Sequence, residues 1–462
     1  MVIRNGRVIT PHGMFDGGLG VNNGQIVIIA KDPNLPAADL VIDAKGKMVL
    51  PGLMDVHVHF PGTQRFGSHV VEREGFETGT KAAAAGGVTT IFDMPLTTPA
   101  IASVEAFERR MKFVKDKAVV DYALYGGAGT HNVDEIEGLA KNGAIAYKTF
   151  MKTPVEKERK KMARGTYVVD DASHFDLLRV IAKTGLPSCV HAENISIIKH
   201  LTEEMKGAGL RDYTAFARSR PNFTEAEMIS RVIYFSTAAG ARVHISHMST
   251  KEGVRLLEHA KIAGLKVTAE TCPHYLLCTK EMMKKVGAYA KVTPPLRTEE
   301  DSEELWRGLN TGSVDIVTTD HAPYPKEEKD VAMEDFWKAP SGTPGIEIMA
   351  SLMLTQVNRG KISLGKLAKV TSEAPAKIFG IYPKKGVIQL GSDADLVVVD
   401  LKREAKIRAD KLLSFAGDTT MFDGWGVKGL PVMTIVRGTV VMKDGVITGK
   451  PGYGEFISPK HS

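Results

Sequence analysis

The sequence predicts an α/β protein, a (β/α)8 barrel of the TIM type with a small β-sandwich domain formed from both termini. Both ends of the chain are rich in short β-like runs, whereas the middle alternates short apolar runs with amphipathic stretches. About eight such strand–helix pairs are what a barrel of this kind requires. We therefore expect residues 1–50 and 385–462 to form the β domain and residues 51–384 to form the barrel.

The two ends of the chain have the same character. VIRNGRVIT, GQIVIIA and KMVL at the start, and GVIQLG, ADLVVVDL and VMTIVRGTVVM near the end, are typical strands. The pairs Asn5-Gly6 and Asn23-Gly24 predict turns between the first strands. Two β-rich ends around a different middle indicate that the termini meet in one domain.

The middle of the chain repeats a strand-then-helix pattern. GVTTIFDM, AIAYKTFM, PSCVHAEN, RVHISHMS and DIVTTDH are predicted strands, and VEAFERRMKFVKD and TKEGVRLLEHAKIAG are predicted helices. Gly185, Gly240 and Gly264 are expected where helices end. A doubly wound open sheet is the alternative, but no Gly-rich phosphate motif follows the first strand, which disfavours a dinucleotide fold.

Composition excludes several classes of protein. The 462 residues include 60 basic and 54 acidic ones, a mild excess without the clustering that nucleic-acid binding needs. Cys189, Cys272 and Cys278 cannot all pair, so a reducing cytoplasm is expected. No run of 18 apolar residues predicts a membrane span. The charged stretch 154–165 is interpreted as a solvated surface helix, with a mobile lid over the barrel mouth as the alternative.

Ionisable residues follow the predicted strands. His57 and His59 end LMDVHVHF, and a strand period of two puts both on one face. His191, His247 and Asp320 end later strands, and buried ionisable groups are costly without partners. Metal binding needs imidazoles and carboxylates that converge, and in a barrel they would converge beyond the carboxyl ends of the strands.

Three further residues near these strand ends need separate interpretation. His244 should lie on the face opposite His247 and is interpreted as structural, and His321 should face away from Asp320. Lys148 ends AIAYK in a buried context. A buried lysine has a lowered pKa, and its neutral form can react with carbon dioxide to give a carbamate. Composition alone favours a salt-bridged barrel lysine instead.

Taken in order, HVH, YK, VHAEN, HISHMS and TTDHAPY resemble the binuclear amidohydrolase superfamily. The segments PGLMDVHVHF, EGFETGTKAAAAGGVTTIFDMPL, AETCPHYL, TPPLR and GSDADLVVVDL extend the likeness over nearly the whole chain. The chain is most similar to the cyclic amidohydrolases, a group that includes hydantoinase, allantoinase, dihydropyrimidinase and dihydroorotase.

The resemblance implies two divalent metal ions, with zinc expected and manganese, cobalt or iron able to substitute. Carboxylated Lys148 would bridge the metals, and Asp320 would move a proton from the attacking water to the leaving ring nitrogen. Backbone groups at Thr293 and Ser341 would bind the ring. The implied metal ligands are His57, His59, Lys148, His191, His247 and Asp320.

Other residues near these motifs are assigned smaller roles. His274 is interpreted as structural rather than as a support for the ligands, and Cys272 and Cys278 as inert thiols. Arg65 or Arg73 could supply a polar contact to the substrate.

The resemblance also bears on which ring is the substrate. Pro61 stands where dihydroorotases have an arginine and allantoinases an asparagine, and KTFMKTP lacks the tyrosine of D-selective hydantoinases and dihydropyrimidinases. The remaining likeness is to L-hydantoinase and allantoinase types, so we expect a small five-membered cyclic ureide as substrate. Dihydroorotase and dihydropyrimidinase activity stay as alternatives.

A catalytically inactive scaffold of the same fold is the alternative from another class. Such proteins have lost metal ligands, whereas all six positions are filled here. Analogy with the resembled enzymes implies a homo-oligomer, a dimer or tetramer, with no nucleic-acid or membrane partner.

Overall fold

The computed structural model describes residues 1–66, 69–151 and 165–459, with backbone only for residues 65, 66 and 69–71. The charged stretch 154–165, except Gly165, and the Arg65 side chain lie outside the described residues. The strands are β1 Val2–Thr10, β2 Gly13–Asn22, β3 Gln25–Ala30, β4 Val41–Asp43, β5 Met48–Pro51, β6 Leu53–Val58, β7 Gln64–Phe66, β8 His69–Val71, β9 Val88–Asp93, β10 Asp121–Leu124, β11 Gly126–Gly127, β12 Tyr147–Phe150, β13 Ser188–His191, β14 Val243–Ile245, β15 Val267–Thr271, β16 Ile316–Val317, β17 Leu396–Lys406, β18 Gly426–Val436, β19 Thr439–Lys443 and β20 Val446–Ile447.

Helices follow most of the central strands. The α-helices of the described residues are Phe76–Ala85, Val104–Val114, Ile136–Lys141, Asp171–Thr184, Ile195–Gly207, Tyr213–Arg218, Asn222–Ala239, Lys251–Ile262, Pro273–Leu277, Glu281–Val286, Glu299–Thr311, Lys326–Asp330, Met349–Asn358, Leu364–Ala368 and Ala374–Ile378. Gly185 and Gly240 end two of them in left-handed backbone, with φ of 71° and 72°, and Gly264 has φ of 73° just after a third. The predicted glycine positions are confirmed, because such backbone suits a residue without Cβ.

The central strands form a parallel barrel. β6, β9 and β10 pair side by side, and β11 to β16 pair in chain order. β10 and β11 are separated by Tyr125 alone, so the two sheets share this edge. The ring closes where Val58 bridges His321 in parallel, with the His59 amide donating to the His321 carbonyl at 2.9 Å. The predicted barrel is confirmed, and its seam joins the first and last predicted ligand segments.

A buried carboxylate strengthens this seam. Asp55 is fully buried on β6, and its Oδ1 accepts the backbone N–H of Thr319 at 3.1 Å. The hydroxyls of Thr318 and Thr319 donate to the two carboxylate oxygens, both at 2.5 Å. Because hydrogen bonds to a buried carboxylate are among the stronger ones, the register between the HVH and TTDH segments is well defined.

Both chain ends contribute to one nine-stranded sheet, in the order β20-β19-β18-β17-β5-β1-β2-β3, with β4 beside β1. Asn23 and Gly24 form the predicted turn, with φ of 48° and 77°. The Asn5-Gly6 prediction is wrong, because β1 continues through the pair and a bulge there shifts its register against β2. Asn5 has φ of 56°, so the residues that favour a turn make a bulge instead. We propose domain limits of 1–50 with 385–462, and 51–384.

A buried cluster of charges joins the barrel to this sheet. Lys385 Nζ lies 2.5 Å from Asp121 Oδ2, 2.6 Å from Asp395 Oδ2 and 3.0 Å from Asp393 Oδ2. Arg437 also binds Asp121. Asp121 begins the barrel strand β10, whereas the other two aspartates precede the sheet strand β17. The Lys385 ammonium therefore neutralises carboxylates from both parts of the fold.

Replacing Lys385 with methionine is expected to lower the free energy of unfolding by about 3–5 kcal/mol, because three buried carboxylates lose their shared cation. Denaturant unfolding followed by circular dichroism measures the change. Lys384→Met, at the exposed neighbouring position, is the matched control. Equal stability of the two variants would contradict a structural role for the cluster.

Among the described residues, no helix is long and apolar enough to cross a membrane. Cys189, Cys272 and Cys278 are free and buried. Burial raises the pKa of each thiol, well above its usual range for Cys189 and Cys272 and to about 12 for Cys278. Since the thiolate is the reactive form, these cysteines have the character of inert thiols.

Candidate metal centre

The barrel seam brings the first and last predicted ligands together. The Nε2 atoms of His57 and His59 each lie 3.2 Å from Asp320 Oδ1. One ligand atom from each of the three residues falls within 4.8 Å of the others. Burial raises the pKa of Asp320, but His57 and His59 outweigh it and hold this pKa below its usual range. Asp320 is therefore an anion at neutral pH, between two imidazole nitrogens.

A second pair of imidazoles adjoins this group. His191 Nδ1 lies 3.0 Å from His247 Nε2, and the His57 and His247 ring centroids are 5.3 Å apart. Burial lowers the pKa of His247 well below its usual value, and His191 and Lys148 lower it further. Neutral histidines are the form that binds metals. The five residues thus form two adjoining sets of ligand atoms.

Glu270, on β15, binds the ring nitrogen of His57 that faces away from Asp320. The His57 Nδ1–H group donates to Glu270 Oε1, and the His247 backbone amide donates to the same oxygen at 3.1 Å. The other oxygen, Oε2, lies 3.2 Å from His244 Nε2. A carboxylate that accepts the remote N–H of an imidazole leaves the other ring nitrogen free to bind a metal. Glu270 therefore orients the His57 Nε2 lone pair toward Asp320.

Glu193 has the same relation to the second pair. His191 Nε2–H donates to Glu193 Oε2 at 2.7 Å, which leaves His191 Nδ1 facing His247. Arg220 Nη1 donates to both oxygens of Glu193 at 2.7 Å. Burial alone would raise the pKa of Glu193, but Arg220 and His191 hold it well below its usual range. In each set, one histidine thus donates its remote ring N–H to a buried carboxylate.

Lys148 interacts electrostatically with residues of both sets. It is fully buried, and its Nζ donates to Ser246 Oγ at 2.8 Å. Burial lowers the pKa of the ammonium, and the charge of Lys148 in turn lowers the pKa of both His57 and His247. Among the described residues, Lys148 forms no ion pair, so the salt-bridged barrel lysine that composition favours is not what the structure contains. A lysine in these surroundings suits the neutral form that reacts with carbon dioxide.

The donor set fits divalent metals. Four imidazole nitrogens and one carboxylate oxygen converge, with remote ring nitrogens of His57 and His191 bound to carboxylates. Imidazole and carboxylate ligands suit zinc, manganese, iron and cobalt alike. Asp320 and His247 have left-handed backbone, with φ of 50° and 37°. Strain of this kind at non-glycine residues is characteristic of functional sites.

The left-handed backbone at His247 changes the relation between His244 and His247 that the strand period predicts. A strand period of two predicts opposite faces for these residues, but β14 ends at Ile245 and the chain turns before His247. His244 and His247 therefore both contact Glu270, His244 through its ring and His247 through its backbone amide. His321 is buried, its Nδ1 accepts the Gly345 amide at 3.1 Å, and its Nε2 lies 3.2 Å from Glu74 Oε2.

The loops predicted to bind the ring adjoin each other. The Gly342 amide, next to Ser341, donates to the Lys291 carbonyl, two residues before Thr293, at 2.9 Å. Thr343 bridges His321, so the Ser341 loop runs beside the segment that follows Asp320. Both Thr293 and Ser341 are partly exposed.

Two other residues with predicted roles have clear surroundings. Arg73 forms a two-bond ion pair with Glu328, at 2.6 and 2.8 Å, and lies over the Tyr324 ring, so its guanidinium is engaged within the protein. His274 is buried against Tyr275, with ring centroids 4.2 Å apart, and burial lowers its pKa to about 4. Its Nε2 has no hydrogen-bond partner among the described residues, and the structural interpretation stays a prediction.

Sequence reasoning did not find Glu270, Glu193 or Arg220. Glu193 follows His191 by two residues in VHAEN, and Glu270 begins ETCPHYL near the end of a predicted strand. An acidic residue inside an apolar strand was the available signal for Glu270, because such a residue needs a buried partner.

Replacing Glu270 with glutamine is expected to lower metal affinity by about 10–100-fold, because the amide holds His57 less firmly and no longer increases its basicity. Competition with a chelator, read by elemental analysis of the protein, measures the loss. Glu281→Gln, at an exposed glutamate, is the control and should bind metal normally. Unchanged affinity in the Glu270 variant would rule out this support of His57.

Comparison with known proteins covers almost the entire chain. A sequence model of the Amidohydrolase family matches residues 48–441. The chain is 37% identical to the L-hydantoinase of Paenarthrobacter aurescens over all of this chain and 98% of that one. It is also 37% identical to the allantoinase of Rubrobacter xylanophilus, with 100% and 98% covered. The solved structure of an L-hydantoinase (dihydropyrimidinase) from Arthrobacter aurescens superposes with a TM-score of 0.92, 36% identity and 99% of both chains covered.

Proposed function

This chain belongs to the amidohydrolase family, and on that premise we propose that it is a metal-dependent hydrolase that opens the ring amide of a hydantoin- or allantoin-like cyclic ureide. The observation that carries the proposal is the convergence of His57, His59 and Asp320 within 4.8 Å at the barrel seam. The L-hydantoinase and the allantoinase, each matched over 98% of its length, support the cyclic substrate class.

We assign His57, His59 and Asp320 to one metal ion and His191 and His247 to a second. Carboxylated Lys148 is proposed as the bridge between the two metals. The lowered pKa values of His57 and His247, the carboxylates that bind His57 and His191, and the buried lysine support this assignment. Zinc is the proposed metal, since imidazole-rich sites with carboxylate ligands suit it well.

The bound metals would lower the pKa of a water molecule toward neutrality and polarise the scissile carbonyl. The Asp320 carboxylate accepts the proton of the attacking water and delivers it to the ring nitrogen as the carbon–nitrogen bond breaks. Its proximity to His57 and His59 keeps it ionised before the step. The product is an open ureido acid.

Recognition of the ring is assigned to backbone groups at Thr293 and Ser341. Their loops are hydrogen-bonded to each other, and the Ser341 loop runs beside the segment that follows Asp320, which supports the assignment. Pro61 offers no cation to a substrate carboxylate, so dihydroorotate is the less favoured ring. The segment KTFMKTP, which contains Lys148, has no tyrosine to offer a hydroxyl to the ring, which disfavours the dihydropyrimidinase alternative.

A substrate panel tests the proposal. Protein loaded with zinc, and in parallel with manganese, is incubated with allantoin, hydantoin, 5-substituted hydantoins of both hands, dihydrouracil and dihydroorotate, and ring opening is followed by loss of ring absorbance. We expect turnover of a five-membered ureide, abolished by chelation and restored by metal. Absence of bound metal and of any turnover would support the scaffold alternative.

The assembly and compartment remain predictions. We propose a dimer or tetramer in the cytoplasm, and light scattering coupled to size exclusion measures the mass of the assembly. A monomer at micromolar concentration would contradict the proposed dimer or tetramer.

A further inference from the structure

Two buried lysines outside the metal centre lack a carboxylate partner. Lys291 and Lys329 have side chains almost fully buried, with 3% and 1% of each residue exposed. Among the described residues neither ammonium forms an ion pair, and all of their hydrogen bonds go to backbone carbonyl groups. An ammonium ion is costly to bury, and a methionine would fill the same space at lower cost. Stability alone therefore does not explain why lysine occupies these two positions.

The carbonyl groups that Lys291 binds belong to one loop. Its Nζ donates to the carbonyl oxygens of Phe336 at 2.5 Å and Ala339 at 2.6 Å. The rings of Phe216 and Phe336 lie 4.9 and 5.1 Å from the same nitrogen. Lys291 thus connects the segment that leads to Thr293 to the start of the segment 336–342.

Lys329 binds both segments at once. Its Nζ donates to the carbonyls of Ala288 at 3.0 Å, Pro340 at 3.0 Å and Gly342 at 2.5 Å. Ala288 lies just before Lys291, and the other two residues flank Ser341. The ammonium therefore joins the same two segments from the other side. We call the segments 288–293 and 336–342 the paired loops.

The paired loops carry the backbone groups assigned to ring recognition. Three donors connect the two loops through hydrogen bonds. They are Lys291 Nζ, Lys329 Nζ and the Gly342 amide, which donates to the Lys291 carbonyl. Burial lowers the pKa of each lysine to about 7, with further lowering by the charge of Arg220 at Lys291 and by that of Lys291 at Lys329. Even a neutral amine retains two donors, so these hydrogen bonds persist across that range.

We propose that Lys291 and Lys329 are positioning residues for the substrate: they hold the paired loops so that backbone groups at Thr293 and Ser341 meet the ring. The inference rests on the proposed function. Neither lysine is expected to touch the substrate or the metals. Displacement of a positioning group by about 1 Å can cost a large factor in rate or affinity, so loosened loops should bind the ring poorly.

Kinetics of Lys291→Met and Lys329→Met test the proposal, with hydantoin and allantoin as substrates of the zinc-loaded protein. We expect KM to rise about tenfold or more, with kcat within about threefold of the parent and metal content unchanged. Lys285→Met and Lys326→Met, at exposed positions near each site, should leave KM unaltered. A merely structural role would lower the unfolding midpoint without this selective rise in KM.

An unchanged KM in folded, metal-loaded variants overturns the inference while leaving the proposed function intact. A wild-type protein that opens neither ring overturns both. If the variants do not fold, hydrogen–deuterium exchange of the wild-type protein decides. Peptides covering the paired loops should exchange more slowly with ring-opened hydantoin present, and no protection there would overturn the inference.

Discussion

Replacing Asp320 with asparagine should lower kcat/KM for ring opening by at least about 10³-fold. Asparagine keeps the shape of the side chain but neither accepts a proton nor supplies the negative charge that lies 3.2 Å from the Nε2 atoms of His57 and His59. Steady-state kinetics and elemental analysis on the same preparation separate loss of metal from loss of proton transfer.

The control for this variant is Asp418→Asn, at an exposed aspartate, which should retain parental activity. Two outcomes are informative. Loss of activity with full metal content supports Asp320 as the proton carrier, and loss of both supports its role as a ligand. Parental turnover in Asp320→Asn would remove this residue from the mechanism altogether.

Substitution of Lys148 by alanine should reduce activity by at least about 100-fold, because the proposed carboxylate bridge between the two metals disappears. Formate, acetate or propionate should restore part of the activity, since a small carboxylic acid can enter the space that the side chain leaves. Lys148 is fully buried and donates to Ser246, so that space is enclosed by the protein.

Carbon-13 resonance after incubation with labelled bicarbonate detects the modified lysine directly. A carbamate signal should be present in the parent and in Lys141→Ala, an exposed control, and absent from Lys148→Ala. A parent protein without the signal, together with no rescue by carboxylic acids, would refute the carbamate and return Lys148 to an unmodified buried lysine.

Much of the fold follows from local patterns. Alternation of apolar runs with amphipathic stretches predicted the barrel. The spacing of apolar residues that distinguishes a strand from a helix can be recognised within one short stretch of sequence. The same logic predicted helix ends at Gly185 and Gly240. It failed at Asn5-Gly6, where pairing with β2 on one side and β4 and β5 on the other keeps the strand continuous through a bulge.

By itself the sequence determined where ionisable side chains stand at strand ends, and the resemblance of those motifs determined the family and the implied ligand set. Only the tertiary structure decided which buried carboxylates bind these histidines. Glu270 contacts His57 across 213 residues of chain, and it also contacts the His244 ring and the His247 amide because the backbone turns after β14 ends. Such contacts depend on strand order, register and barrel closure, none of which is encoded in the period of a single strand.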